Sequence, residues 1–196
     1  MSWMITATGR KVHPDDLAVA DIAIDDIAHH LSMLCRFAGA VREFYSVATH
    51  SVLVADLVRE RARGQVPQAE LVELELQGLL HDAAEAYLCD LPTPVKDQLG
   101  EYKAMERGAW MAIADRFGLP HGHHPHVKHA DLVALATEKR DLMPHHAEPW
   151  SVLEGIAPHA FRRCRSVAPA IAKAAFLERF YGLLGDRAVD AARSVA

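Results

Sequence analysis

Leu79-Leu80-His81-Asp82-Ala83-Ala84-Glu85 sets an imidazole and two carboxylates inside an apolar, helix-like run. Burying such groups without partners costs several kcal/mol. A bound cation removes that cost and gives the groups a task. The question for the rest of the chain is whether it brings further ligands to this run.

Around the run, Leu71, Leu74, Gly78, Leu79 and Ala86 predict a helix over about 68–88. Leu91-Pro92-Thr93-Pro94 ends it, because two prolines cannot continue a helix. Upstream, Gly64-Gln65-Val66-Pro67 is a turn, preceded by a helix over about 47–63 that Ser46 caps. Before that, Asp25 caps a helix over about 26–36, with Ile27, Leu31 and Leu34 on its buried face and Gly39 as its stop. Residues 15–25 read as loop and residues 3–14 as a short β-like arm turning at Thr8-Gly9-Arg10.

Downstream, a short helix starts at Pro94 and a longer one spans about 98–117, ended by Gly118-Leu119-Pro120. A His-rich loop follows from His121 to His129, then a helix over about 127–143 stopped by Pro144. Residues 144–166 read as loop, and residues 167–184 as a last helix stopped by Gly185, with a frayed tail over 186–196. No repeat or linker divides the chain. The expectation is a single all-α domain over residues 1–196, with its core in about 26–185.

Composition fits an ordinary globular protein: 51% hydrophobic, 24% charged, net charge -5. No basic patch invites a nucleic-acid polymer, while a small anionic substrate needs only a few local cations. The N-terminal residues do not read as a signal peptide, and no apolar stretch nears the ~20 residues that span a bilayer. Three separated cysteines fit a reduced cytoplasm. The unusual count is thirteen histidines.

The helix pair on either side of the 64–67 turn supplies the next ligand. His50 lies about as far before the turn as His81 lies after it, ~20 Å at ~1.5 Å per residue. An antiparallel pair therefore brings both to one level. Asp131, ahead of Leu132-Val133-Ala134-Leu135, is the best fourth candidate, although a carboxylate in a first helical turn is also an ordinary helix-start charge. Two histidines and two aspartates do not suit a closed structural zinc site. They suit Mn, Co, Ni, Fe or Mg, with Zn also admissible, and a site that polarises an oxygen for hydrolysis.

His50, then His81-Asp82, then Asp131 follows the H…HD…D order of the HD-domain superfamily of metal-dependent phosphohydrolases, which the chain resembles over most of its length. Leu80–Glu85 with Asp90-Leu91-Pro92-Thr93-Pro94-Val95-Lys96 looks like the bacterial 5′-deoxynucleotidases of that superfamily. Asp26–Ser32, Cys35-Arg36-Phe37 and Tyr45–His50 look more like its phage dATP triphosphohydrolases. The resemblance implies one divalent metal held by His50, His81, Asp82 and Asp131, and Glu85 as the residue that orients or deprotonates the attacking water. It implies Asp90 at the sugar or leaving group, Arg36 as phosphate clamp, Phe37 as a sugar or base contact and Lys96 as a second phosphate contact.

Each residue also has a plainer reading. Glu85 reads as a solvated helix glutamate, Asp90 as the partner of Lys96, Arg36 as a helix C-terminal charge and Phe37 as a core aromatic. The deoxynucleotidases carry Trp where Phe37 stands. The histidines of the 121–129 loop read as solvent-exposed rather than as ligands of a second metal, and His29 and His30 as surface or packing residues.

The expected activity is hydrolysis of nucleotide 5′-phosphates, leaning to triphosphate release from a dNTP, dATP first. The alternatives are phosphate release from a dNMP, a cyclic-nucleotide or (p)ppGpp hydrolase, and a non-catalytic metal-stabilised binding domain. The relatives in question are usually dimers or larger, so a homo-oligomer is expected.

Overall fold

The computed structural model describes residues 2–195, with side chains as far as residue 189. Its elements are β1 (Met4–Ile5), β2 (Lys11–Val12), α1 (Ile24–Met33), α2 (Val47–Ala62), α3 (Gln68–Leu80), α4 (Glu85–Leu88), α5 (Thr93–Lys96), α6 (Gly100–Phe117), α7 (Pro125–Leu142) and α8 (Pro169–Val195). The fold is all-α, with one two-stranded antiparallel arm at the N-terminus. No helix among the described residues is long and apolar enough to cross a membrane.

The hairpin of α2 and α3 is the centre. On one side its Val47, Ala48, Ala55, Leu76 and Leu79 join Ile27 and Leu31 of α1, Ile113 of α6 and Phe176 and Phe180 of α8. On the other side Val54, Val58, Leu71 and Leu74 meet Val127, Ala130 and Ala134 of α7. Two apolar faces on one helix pair place α7 opposite α1 and α8. Gly78 sets how closely the pair approaches: a Cβ there would lie 3.0 Å from Val58 Cγ2 and 3.4 Å from Ala55 Cα.

Several boundaries differ from expectation, each for a local reason. The first helix starts at Ile24 and stops at Met33, so Asp25 and Asp26 occupy its first turn and Arg36 lies beyond its end. Asp26 is fully buried, because Thr8 donates to it through its amide and its hydroxyl, both at 2.7 Å. The N-terminal arm is thereby pinned to α1. His30 continues the chain of contacts, accepting from the Ala7 amide and donating to the Ala86 carbonyl.

The helix expected over 68–88 breaks at residues 81–84, where i→i−3 backbone bonds replace the α pattern. The last helix does not stop at Gly185 but runs to Val195, so the tail expected to fray is helical over its described part, with residue 196 outside the described residues. A mid-helix glycine costs only ~1 kcal/mol. Arg187 offsets it by donating to the Phe117 and Gly118 carbonyls at 2.8 Å each, where α6 ends on a left-handed Gly118. The loop over 144–166 carries little helix yet is tied down: Arg140 donates to the carbonyls of His159 and Arg162, and Arg162 pairs with Asp56 and Glu60 of α2.

Candidate metal centre

Four side chains converge where α2, the 81–84 turn and α7 meet. His50 Nε2 lies 3.3 Å from His81 Nε2, 3.4 Å from Asp82 Oδ2 and 3.3 Å from Asp131 Oδ1. His81 Nε2 lies 3.2 Å from Asp82 Oδ2 and 3.8 Å from Asp131 Oδ1. Ligand atoms of His50, His81 and Asp131 all fall within 4.8 Å of one another, a group able to hold a metal ion. The hairpin spacing thus places the two histidines at one level, as expected, and α7 delivers Asp131.

Both imidazoles are oriented by their other nitrogen. His50 Nδ1 donates to Glu138 Oε1 at 2.7 Å, and His81 Nδ1 donates to the Gly78 carbonyl at 2.8 Å. These bonds fix the tautomer that turns each Nε2 lone pair toward the centre. Glu138 is itself fully buried and accepts from Arg36 Nε at 3.1 Å, while Arg36 Nη1 reaches Asp82 Oδ2 at 3.4 Å.

Burial opposes charge on every member of the cluster, yet both histidines are held above the ordinary range by the carboxylates, and Asp82 and Asp131 below it by the histidines. In the ion-free chain the carboxylates thus favour a proton on each imidazole, and a divalent cation on the Nε2 atoms would take that proton's place. The donor set fits such an ion.

A cavity of about 400 Å³ opens beside the cluster. His81, Asp82 and Asp131 form its inner end, and Glu85, Lys96, Arg107, Trp110, His123 and Lys128 its walls and rim. Glu85 is buried, and its Oε2 has no hydrogen-bond partner. Burial, with Asp82 and Asp90 adding to it, raises its pKa well above the usual carboxyl value. Glu85 is therefore not a solvated helix glutamate. Lys96 Nζ lies 3.8 Å from Glu85 and 2.6 Å from Glu106.

Asp90 makes no ion pair among the described residues, so the expected alternative of an Asp90–Lys96 pair does not form; burial raises its pKa against the pull of Arg36. Arg36 is 8% exposed and is not on the cavity wall, being held behind the cluster by Glu138 and Asp82. Phe37 is also off that wall: its ring packs 6.3 Å from Trp150 and under the Arg36 guanidinium.

The histidine loop corrects an expectation. His126 and His129 lie on α7, and His121 is exposed, but His123 turns into the cavity. The loop is clamped. Gln77, itself buried, donates to the Gly122 carbonyl and accepts from the His124 amide, and Trp110 Nε1 donates to the His121 carbonyl at 2.6 Å. His123 stands edge-on to Trp110 at 4.4 Å, with its Nε2 buried and without a partner. Burial and the neighbouring His81 lower its pKa to about 4, so it is neutral near pH 7.

Sequence reasoning missed Glu138, Gln77, Trp110 and His123. Glu138 alone left a signal: it follows Asp131 by two helical turns and so shares its face. The others become visible only when α3, α6 and the loop are packed together.

The chain is 42% identical over 183 residues to the uncharacterized protein YfdR of Escherichia coli, covering 93% of this chain and 96% of that one. The chain belongs to the YfdR family. A second relative, an uncharacterized protein of Rhodobacter capsulatus, is 38% identical over 122 residues, 61% of this chain and 60% of its own. No family model matches the chain.

Proposed function

We propose that the protein is a metal-dependent phosphohydrolase of the HD type that cleaves 5′-phosphates from nucleotides, with deoxynucleoside triphosphates as the leading substrate class. The observation that carries this reading is the pairing of two features in one cavity. His50, His81, Asp82 and Asp131 offer a mixed imidazole and carboxylate set, and Glu85 offers a buried oxygen with no partner beside it.

A divalent ion in this set, Mn, Co, Ni, Fe, Mg or Zn, would supply Lewis-acid polarisation of a phosphoryl oxygen and acidify nearby water. The chain's own residues do the rest. Glu85 holds the attacking water by its unpartnered oxygen and takes its proton, a role suited to a carboxyl that burial has made more basic than an ordinary glutamate. Neutral His123 offers its unpartnered Nε2 to a phosphoryl or leaving oxygen. Arg107 and Lys128, beside a Lys96 that is shared with Glu106, line the rim and attract the remaining phosphates, more cations than a single phosphate held at the metal needs. That excess favours a triphosphate over a monophosphate. Arg36 supports the site from behind, orienting Glu138 and Asp82 rather than reaching the substrate.

Incubating protein loaded with Mn or Co with dATP and with dAMP, and identifying the products, tests the reading. Triphosphate released from dATP is expected. Phosphate from dAMP alone would replace this reading with a monophosphatase, and no turnover of any nucleotide by metal-loaded protein would leave a metal-stabilised binding domain.

A further inference from the structure

A second cavity, of about 760 Å³, is larger than the one at the metal centre and separate from it. It lies between the C-terminal half of α7 and the loop that returns over it, with Arg42 closing one side. This size matches sites that enclose a small organic ligand.

Its lining is one-sided in charge. Arg42, Lys139 and Arg140 face it with His145 and His146, against Glu154 as the acid among the lining residues. Arg140 is already committed to Asp141 and to two loop carbonyls and acts as a brace. Arg42 and Lys139 have no carboxylate within ion-pair distance among the described residues, so their charge is available to a ligand. The cavity also presents an indole: Lys139 Nζ sits 4.6 Å from the Trp150 ring centroid, and Phe37 braces the same indole at 6.3 Å. Met143, Pro144 and Pro149 supply apolar wall.

We propose that this cavity is a second binding site, for a mononucleotide or a similar organic phosphate bearing a flat ring. The ring stacks on Trp150, a contact open to any base because every base has a π face. Lys139, displaced from the indole on its long flexible stem, turns to the phosphate together with Arg42, whose guanidinium fits a phosphate through paired hydrogen bonds. The brace of Arg140 on the His159 and Arg162 carbonyls keeps the loop closed over the ligand. Nothing in this site calls on the metal centre.

The test uses the full chain treated with a chelator, so that binding is read without turnover. Titration of AMP by calorimetry should show one saturable site per chain, with quenching of Trp fluorescence that Trp150→Phe removes. Lys139→Glu and Arg42→Glu, both at the surface of the cavity, should each weaken binding at least about tenfold, while Asp131→Asn leaves it unchanged. The proposal is overturned by the absence of saturable binding, or by binding that Asp131→Asn abolishes and Lys139→Glu does not touch. Hydrolysis is not measured, so a failure of the phosphohydrolase reading would leave this result as it stands.

Discussion

Glu138 decides the direction in which His50 points. Removing its charge while keeping its shape, Glu138→Gln, weakens the bond to Nδ1 and leaves Arg36 facing an amide. Outer partners of metal-binding histidines are typically worth ~10–100-fold in affinity, and a loss of that size is expected in competition against a chromophoric chelator. Glu85 answers a different question. Its carboxyl titrates above the usual value in the folded, ion-free chain, so the folded state keeps a proton that the unfolded state has lost. Stability linked to it is fully present below the ordinary glutamate pKa of ~4.3 and is lost as pH rises through the folded value. Glu85→Gln cannot lose that proton. Urea unfolding of chelator-treated protein should therefore show the variant level with the parent at acid pH and ahead of it at alkaline pH, with the gap widening between. Equal stabilities at every pH would mean that Glu85 titrates normally. If the proposed phosphohydrolase activity holds, the same substitution in metal-loaded protein should cost at least about 100-fold in hydrolysis with metal content unchanged by elemental analysis.

The hairpin of α2 and α3 is legible in the sequence, because helix rise is fixed and the turn at 64–67 is marked by glycine and proline. Counting from that turn places His50 and His81 together. What counting does not give is the tightened turn at 81–84, since Ala83 and Ala84 are good helix formers and only the packing of His81 and Asp82 into the cluster explains the break. Asp131 is readable as a candidate, but its arrival depends on Val127, Ala130 and Ala134 docking α7 against α2, which no local pattern specifies. Gly78 joins these elements most tightly. Gly78→Ala puts a methyl 3.0 Å from Val58 Cγ2, so either Val58 moves or the helices part. The higher helix propensity of alanine favours the substitution by ~1 kcal/mol, while overpacking opposes it by ~1–3 kcal/mol. A net destabilisation is expected in urea, together with weaker metal binding, because the Gly78 carbonyl is what His81 donates to. Unchanged metal affinity would show that the hairpin tolerates separation at its level.

At the scale of the whole molecule, the bundle sets α7 on one flank of the hairpin and α1 and α8 on the other, and so lays the cluster across a seam between two apolar cores. The all-α class and most helix positions follow from periodicity and from prolines. The reach of α8 past Gly185 does not, because it rests on the contact of Arg187 with the end of α6. One consequence of the seam concerns time rather than energy. His50 and His81 are 31 positions apart, whereas His50 and Glu138 are separated by 88. Closing so long a loop costs more chain entropy than closing the hairpin, and the expectation is that the cluster is completed only when α7 docks, beyond the rate-limiting step. An ion that binds there should leave the refolding rate almost untouched and slow unfolding, by the factor through which it raises the equilibrium stability. Stopped-flow measurements with and without Mn would show this as a shift confined to the unfolding limb. Acceleration of refolding would instead place α7 against the hairpin early, and the ion would then act as a nucleus rather than as a latch.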